Sequence, residues 1–435
     1  MVKHKAVIAI RGPLLFVKEV RKARLGDLVK VENGKDVRTA QVLEIKEDIA
    51  VLQVFEGTAG LSLESQIAFT GEPVKIPLSI EILGRIFNGV GRPIDGGPPS
   101  KGETYREVAG EVMNPVARDY PHEFIETGIS AIDGLLSLVR GQKLPIFSGG
   151  GLPHVELAAQ IARQSRVLGT GESFGIVFAA VGVNQEDANF FATSFRQAGV
   201  MDRTVMYVNQ ASDPVIERLL TPRLALTTAE YLAFEHGYHI LTIIIDVTNY
   251  CEALREVSMA REEVPGRRGY PGYMYTDLAS MYERAGMLKD RKGSITLIPI
   301  LTMPDYDITH PIPDLTGYIT EGQILLSQSL HSRGIYPPVD VLPSLSRLMK
   351  DGVGEGRTRS DHMSIANRLY TTYARGRAAS ELSLILGRDA LTEEERRLVL
   401  FAEEFERRFI NQDRNEHRPI EKTLDIGLDL LSRFE

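Results

Sequence analysis

Four continuous runs of β-branched and aliphatic residues limit this chain's fold more than any other feature. They are GIVFAAVG (Gly175 to Gly182), TVMYVN (Thr204 to Asn209), HILTIIID (His239 to Asp246) and SITLIPILTM (Ser294 to Met303). Between them lie helical stretches such as VELAAQIARQ and DPVIERLLTPRLALTTAEYLAFEH. Buried strands alternating with helices predict a largely parallel sheet covered by helices, an α/β body.

The flanking regions have a different texture. From Ala6 to about Gly60 the pattern is a series of short β runs, KAVIAI, GDLVKVE, VRTAQVLEI and IAVLQVF, with Asn33-Gly34 placed for a tight hairpin turn. So many strands without a helical period predict a small closed β-barrel. After about Asp351 the chain turns polar and helical, and Leu398, Phe401, Phe405 and Phe409 recur three or four apart, giving one apolar helix face suited to a bundle. The expected division is therefore a barrel over 1–72, an α/β domain over 73–350 and a helical domain over 351–435. Two Pro/Gly-rich loops, Val264 to Tyr273 and Thr309 to Tyr318, interrupt the central part and belong on its surface.

Composition removes several function classes. Of 435 residues, 58 are Asp or Glu and 50 are Lys or Arg, and the net charge of -8 argues against nucleic acid as the main partner. The single cysteine, Cys251, cannot close an intramolecular disulfide, which fits a reducing compartment and a small buried residue near a strand end. The N-terminal apolar run is too short for a signal-peptide core, and no segment approaches the roughly 18 apolar residues that span a bilayer. A soluble chain is expected, reaching a membrane only through a complex.

The informative junction is where strand-like KLPIF runs into Ser148-Gly149-Gly150-Gly151-Leu152-Pro153-His154-Val155 and then into a helix expected over Glu156 to Arg166. Strand, glycine-rich loop and helix in that order make a phosphate loop, because free N–H groups and the helix dipole receive anionic oxygens. The working pattern is GxxxxGK[ST], whose Lys reaches the β- and γ-phosphates and whose hydroxyl holds Mg²⁺. Here Ser148 replaces the first Gly, Pro153 the second, His154 the Lys and Val155 the Ser/Thr. A neutral imidazole is a poor permanent cation, proline lacks an N–H, and valine offers magnesium no oxygen. Read in isolation, the segment also fits a glycine-rich turn that does no more than start a helix.

Two further candidates are weaker. Gly352-Val353-Gly354-Glu355-Gly356-Arg357-Thr358 follows no strand and opens no apolar helix directly, so it reads as a flexible loop. Asp246 ends a β-branched run where a magnesium-coordinating carboxylate would stand, but with Val155 opposite it reads as a polar strand-end residue. The end of the earlier strand, Gly182-Val183-Asn184, carries no carboxylate to orient water.

Several long phrases resemble the non-catalytic B subunits of V-type and archaeal A-type ATPases: GRIFNGVGRPIDGGPP (Gly84 to Pro99), NPVARDYPHEFIETGISAIDGL (Asn114 to Leu135), SGGGLPHVELAAQIARQ (Ser148 to Gln164), VPGRRGYPGYMYTDLASMYERAG (Val264 to Gly286), TGYITEGQI (Thr316 to Ile324) and LPSLSRLM (Leu342 to Met349). The resemblance runs from about residue 5 to at least 380. It implies that the central domain is of the nucleotide-binding type. It also implies a ring of three catalytic A and three B subunits around a central rotor stalk, with peripheral stator subunits, on the cytoplasmic face of a membrane. It further implies no cofactor of the chain's own. ATP or ADP with Mg would sit at the shared A/B interface, held mainly by the catalytic A subunits, with coupling to proton or sodium transport.

Arg347 of LPSLSRLM matches the arginine that B subunits extend across that interface, where a delocalised cation meets charge spreading over a transferring phosphoryl group. Arg267 and Arg268 match the family's bearing region near the shaft, although solvated loop charge explains them as well. The degenerate loop Ser148 to His154 remains as a nucleotide site that binds weakly or not at all. Two rival functions remain. A self-sufficient ATPase needs the missing Lys and hydroxyl, and an adaptor that merely keeps the fold would associate with its partner independently of nucleotide.

Overall fold

The computed structural model describes residues 6–18, 23–167 and 173–434. The N-terminal strands are β1 (Val7–Arg11), β2 (Leu14–Lys18), β3 (Asp27–Asn33), β4 (Asp36–Lys46), β5 (Ile49–Val54) and β6 (Gln66–Pro73). They form an antiparallel sheet in the order β1-β2-β5-β4-β3-β6. Alternate residues point inward, as the two-residue period of a strand requires, so that Val29 and Val31 are buried while Lys30 between them is exposed. One apolar cluster draws on all six strands, from Val7 and Leu15 to Leu52 and Ile67, which gives the barrel its core. The hairpin at Asn33-Gly34 forms as expected: Asn33 pairs with Asp36, and Gly34 takes a φ of 64°, open to glycine without strain.

The four buried runs become β9 (Phe174–Val183), β10 (Thr204–Gln210), β11 (His239–Ile245) and β12 (Ser294–Thr302). With β7 (Ile86–Asn88), β8 (Ile146–Ser148), β13 (Gly322–Leu326) and β14 (Val339–Ser346) they follow the path β14-β13-β8-β12-β11-β9-β10-β7; a two-residue strand, Gly286–Met287, pairs with β12 off this path and makes nine. β8 runs parallel to β12 and β13, and β10 parallel to β7, while β14 closes one edge antiparallel to β13.

The helices that matter below are α1 (His154–Gln164), α2 (Gln185–Gln197), α3 (Val215–Phe234), α4 (Val247–Ala260), α5 (Met274–Tyr282), α6 (His362–Leu386), α7 (Glu393–Glu404) and α8 (Ile420–Phe434). Contacts divide the chain into two compact units. The first is Met1–Val112 with Val177–Glu235 and Ile244–Arg284; the second is Met113–Ile176 with His236–Ile243 and Ala285–Glu435.

Within the second unit the predicted apolar stripe packs inside the helical bundle. Phe401, Phe405 and Phe409 are fully buried and stacked at centroid distances of 6.0 and 5.0 Å, and Tyr373 of α6 meets Phe405 at 4.6 Å. Leu398 is only partly buried. The stripe does not stay α-helical to its end: Phe405–Ile410 forms a π-helical turn, which a period of three to four residues does not reveal.

Candidate functional site

The predicted junction lies in the second unit. β8 ends at Ser148, the chain turns through Gly149 to Leu152, Pro153 takes the N-cap position at φ −81° and ψ 50°, and α1 begins at His154. The helix starts two residues before the expected Glu156 and stops at Gln164; Arg166 belongs to a short strand paired with Glu126. Pro153 makes no side-chain cap, so the first turn relies on main-chain geometry alone.

His154 does not project a charge outward. Its Nδ1 lies 2.9 Å from the Leu152 carbonyl and 3.1 Å from Ser148 Oγ. A carbonyl only accepts, so Nδ1 carries the proton and the ring is folded back to brace its own loop. Ser148 is fully buried and Leu152 nearly so. With Val155 as the next residue, these side chains do not fit a magnesium-bound triphosphate: the position of the cation is inward-turned and that of the metal's hydroxyl is hydrocarbon.

A residue that sequence reasoning missed covers the loop. After β12 the chain bends through Pro304–Tyr306, where Asp305 and Tyr306 take left-handed φ values of 55° and 56°. The bend lays the Tyr306 ring on Gly149, so that a Cβ there would stand 2.0 Å from Cε1. The Tyr306 hydroxyl donates to the Gly150 carbonyl and lies 2.6 Å from Gln328 Oε1. No local pattern marks Tyr306, which is distant from the loop in sequence.

The helix α1 is tied down as well. Gln160 donates to the carbonyls of Asp413 (3.3 Å) and Glu416 (3.1 Å) and accepts from the Tyr336 hydroxyl at 2.9 Å. Arg414 pairs with Glu156 at 3.0 Å and stands 5.3 Å over the Tyr336 ring. Burial, first of all, pushes the Tyr336 phenol well above its usual range.

Arg347 follows β14 and is exposed. Its N–H donates to Glu321 O at 3.0 Å and its Nη1 to Thr320 O at 3.0 Å. The last rung of β13 and β14 closes there because residue 322 is glycine: a Cβ on Gly322 would lie 2.1 Å from Leu345 O. The carboxylate of Glu321 is spent on Lys143 at 2.7 Å, and among the described residues no carboxylate pairs with Arg347. The result is a guanidinium anchored at one nitrogen with its charge uncompensated. No hydrogen bond or ion pair joins Arg347 to the loop Ser148 to Val155.

The remaining candidates have structural roles. Asp246, in the first unit, caps α4 by accepting from Thr248 N at 2.8 Å, and Asn184 caps α2 by accepting from Asp187 N at 2.7 Å. In the second glycine cluster, Thr358 accepts from Gly354 N at 2.8 Å and meets His362 Nδ1 at 3.0 Å, so its hydroxyl serves its own turn. Arg267 and Arg268 are exposed in a single 3-10 turn. Cys251 is buried in α4, where burial holds its thiol well above the ordinary range. Among the described residues no group of three or more His, Cys, Asp or Glu is arranged to hold a metal, and no helix is long and apolar enough to cross a membrane.

A barrel, a parallel-sheet domain with a phosphate-loop junction and a terminal helical bundle, in that order, define the head-subunit class of rotary ATP synthases. Three family models match in the same order: the ATP synthase alpha/beta family beta-barrel domain over residues 7–71, its nucleotide-binding domain over 128–346, and the C-terminal domain of V and A type ATP synthase over 351–435. The chain belongs to the ATP synthase alpha/beta family, with the V/A-type C-terminal domain, and is thus a component of a multi-subunit rotary complex. It is similar to a solved structure described as a unique ATP synthase subunit, NeqB, from Nanoarcheaum equitans: 43% identity over 97% of this chain and 99% of that one, with a TM-score of 0.78.

Proposed function

We propose that this chain is the non-catalytic, B-type subunit of a V/A-type rotary ATPase and that it completes the ATP site of a catalytic A-type neighbour. The observation that carries this reading is a contrast within one chain: an exposed, uncompensated Arg347, and a phosphate loop braced by His154 and covered by Tyr306. MgATP would be held mainly by the neighbour's own phosphate loop. Arg347 would meet the terminal phosphoryl group across the interface and stabilise the charge that spreads over its oxygens as the bond to the leaving oxygen breaks. The N–H bond to Glu321 O holds the arginine's backbone to the sheet edge and the Nη1 bond to Thr320 O holds its guanidinium, so little of its reach is lost to disorder.

In this reading, catalytic and non-catalytic subunits alternate in a ring of three each around the rotor, with stator subunits outside, on the cytoplasmic face of the membrane. Hydrolysis or synthesis at the A/B sites drives or uses proton or sodium flow. The chain needs no cofactor of its own. Purified alone it should show no MgATP hydrolysis above background, and adding a catalytic partner should produce it; robust turnover by the isolated chain would overturn the proposal.

A further inference from the structure

The first compact unit contains a cleft of about 410 Å³, lined by the N-terminal sheet and by α3, α4 and α5. That volume falls within the range of about 300–1,000 Å³ typical of small-molecule sites. Its walls are apolar, with Leu219 and Leu220 of α3 facing Leu254 and Val257 of α4, and Leu25, 68% exposed, on the open side.

A polar cluster also lines it. Arg223 Nη2 lies 2.7 Å from Asp277 Oδ1, 3.3 Å from the Tyr250 hydroxyl and 3.4 Å from Ser280 Oγ, and Tyr250 donates to Asp277. All of the described partners of the Arg223 guanidinium are on that one nitrogen. Nη1 and Nε donate to no described group, and the side chain is only 19% exposed. A mostly buried arginine with two unused donors against an apolar wall is what a ligand oxygen would use.

Charge decides the class of ligand. Among the lining residues Arg223 and Arg261 are balanced by Asp277 and Glu107, and Arg261 is further engaged by Glu44 at 3.2 Å and Glu263 at 2.8 Å. An incoming anion would meet Asp277 on the same guanidinium and lose its hydration for little gain. We propose that this cleft binds an uncharged, amphipathic small molecule. Its apolar body lies between α3 and α4, and one carbonyl or ether oxygen accepts from Arg223 Nη1 or Nε. The inference does not depend on the proposed role of Arg347.

Nile red, a neutral dye with a flat apolar body and a terminal carbonyl, is the probe. Titrated against the full-length chain, it should give saturable, blue-shifted emission at one dye per chain. Leu219→Trp fills the wall and Leu25→Trp narrows the open side, and each should weaken binding by about tenfold or more. Leu25 is exposed, so its variant carries the test even if Leu219→Trp does not fold. The chain has no tryptophan, so the new indole's own emission should also respond to the dye. No saturable signal, or dye affinity unchanged in the folded variants, overturns the proposal. Equal or tighter binding of the anion 1-anilinonaphthalene-8-sulfonate, sensitive to the same substitutions, overturns the neutral class.

Discussion

Tyr306 packs directly against Gly149, its Cε1 only 2.0 Å from where a Cβ would stand, so the first glycine of the phosphate loop is a seat for a side chain of the same protein. The loop keeps the glycine content of a nucleotide site while its surface is spent on an internal contact. This relationship separates what the loop looks like in sequence from what it does in the fold.

Gly149→Ala must push the Tyr306 ring off its seat and break the bond to the Gly150 carbonyl. Because the ring can swing outward, the expected cost is about 1–2 kcal/mol of unfolding free energy, within the overpacking range. In a Tyr306→Ala background the same substitution should cost close to nothing, since the clash is gone. A double-mutant cycle by urea denaturation measures the coupling, and additive effects would show that the ring does not occupy this seat.

Restoring the side chains of a working loop should not by itself restore nucleotide binding. Pro153→Gly, His154→Lys and Val155→Thr together replace the missing N–H, cation and hydroxyl, but Tyr306 still covers Gly149. Calorimetric titration with a non-hydrolysable MgATP analogue should show binding only when Tyr306→Ala is added. Binding by the triple variant with Tyr306 in place would contradict the role assigned to the ring.

Much of the fold is written in local pattern. The runs at 175–182, 204–209, 239–246 and 294–303 become β9 to β12 with ends shifted by about a residue, because strands buried on both faces need unbroken apolar stretches. Asn33-Gly34 fixes its hairpin for an equally local reason. β6 is not legible in the same way because Gly71 and Pro73 lie inside it; an edge strand tolerates both, and being at the edge is a property of the sheet rather than of the segment. β2 is hidden for a related reason, a five-residue strand following directly on the turn at Gly12.

The site divides along the same line. The absent Lys and hydroxyl at 154 and 155 are visible in the sequence. The inward turn of His154 is local, made with Ser148 and Leu152 of its own loop, but it depends on backbone geometry that residue types do not show. The cover supplied by Tyr306 and the carboxylate-free setting of Arg347 are tertiary facts, set by chain segments far apart in order.

Glu217 gives the first unit a pH dependence. Its side chain is 7% exposed, packs against Gly89 and has no hydrogen-bonded partner on its carboxylate among the described residues. Burial first, then the neighbouring Asp213 and Glu56, raise its pKa to about 7, against a smaller opposing pull from Arg92. Between the unfolded value of 4.5 and about 7 the folded chain holds a proton that the unfolded chain has released. Stability from this group is therefore full below about 4.5 and is lost as pH rises through 7. Glu217→Gln removes the loss, so the variant's advantage over wild type should be larger at pH 8 than at pH 5, by on the order of 2 kcal/mol. Urea denaturation at the two pH values checks it; an equal difference at both would contradict the assignment.

The central claim, a guanidinium offered to a neighbour's nucleotide, is tested most directly by Arg347→Ala in the assembled complex, with MgATP turnover and ring assembly measured on the same preparation. Among the described residues the side chain has one internal hydrogen bond, to the Thr320 carbonyl, and no ion pair to lose, so assembly should be unchanged. Turnover should fall by about 10³–10⁵, the range known for arginine fingers. Turnover near wild type in an intact ring would contradict the account.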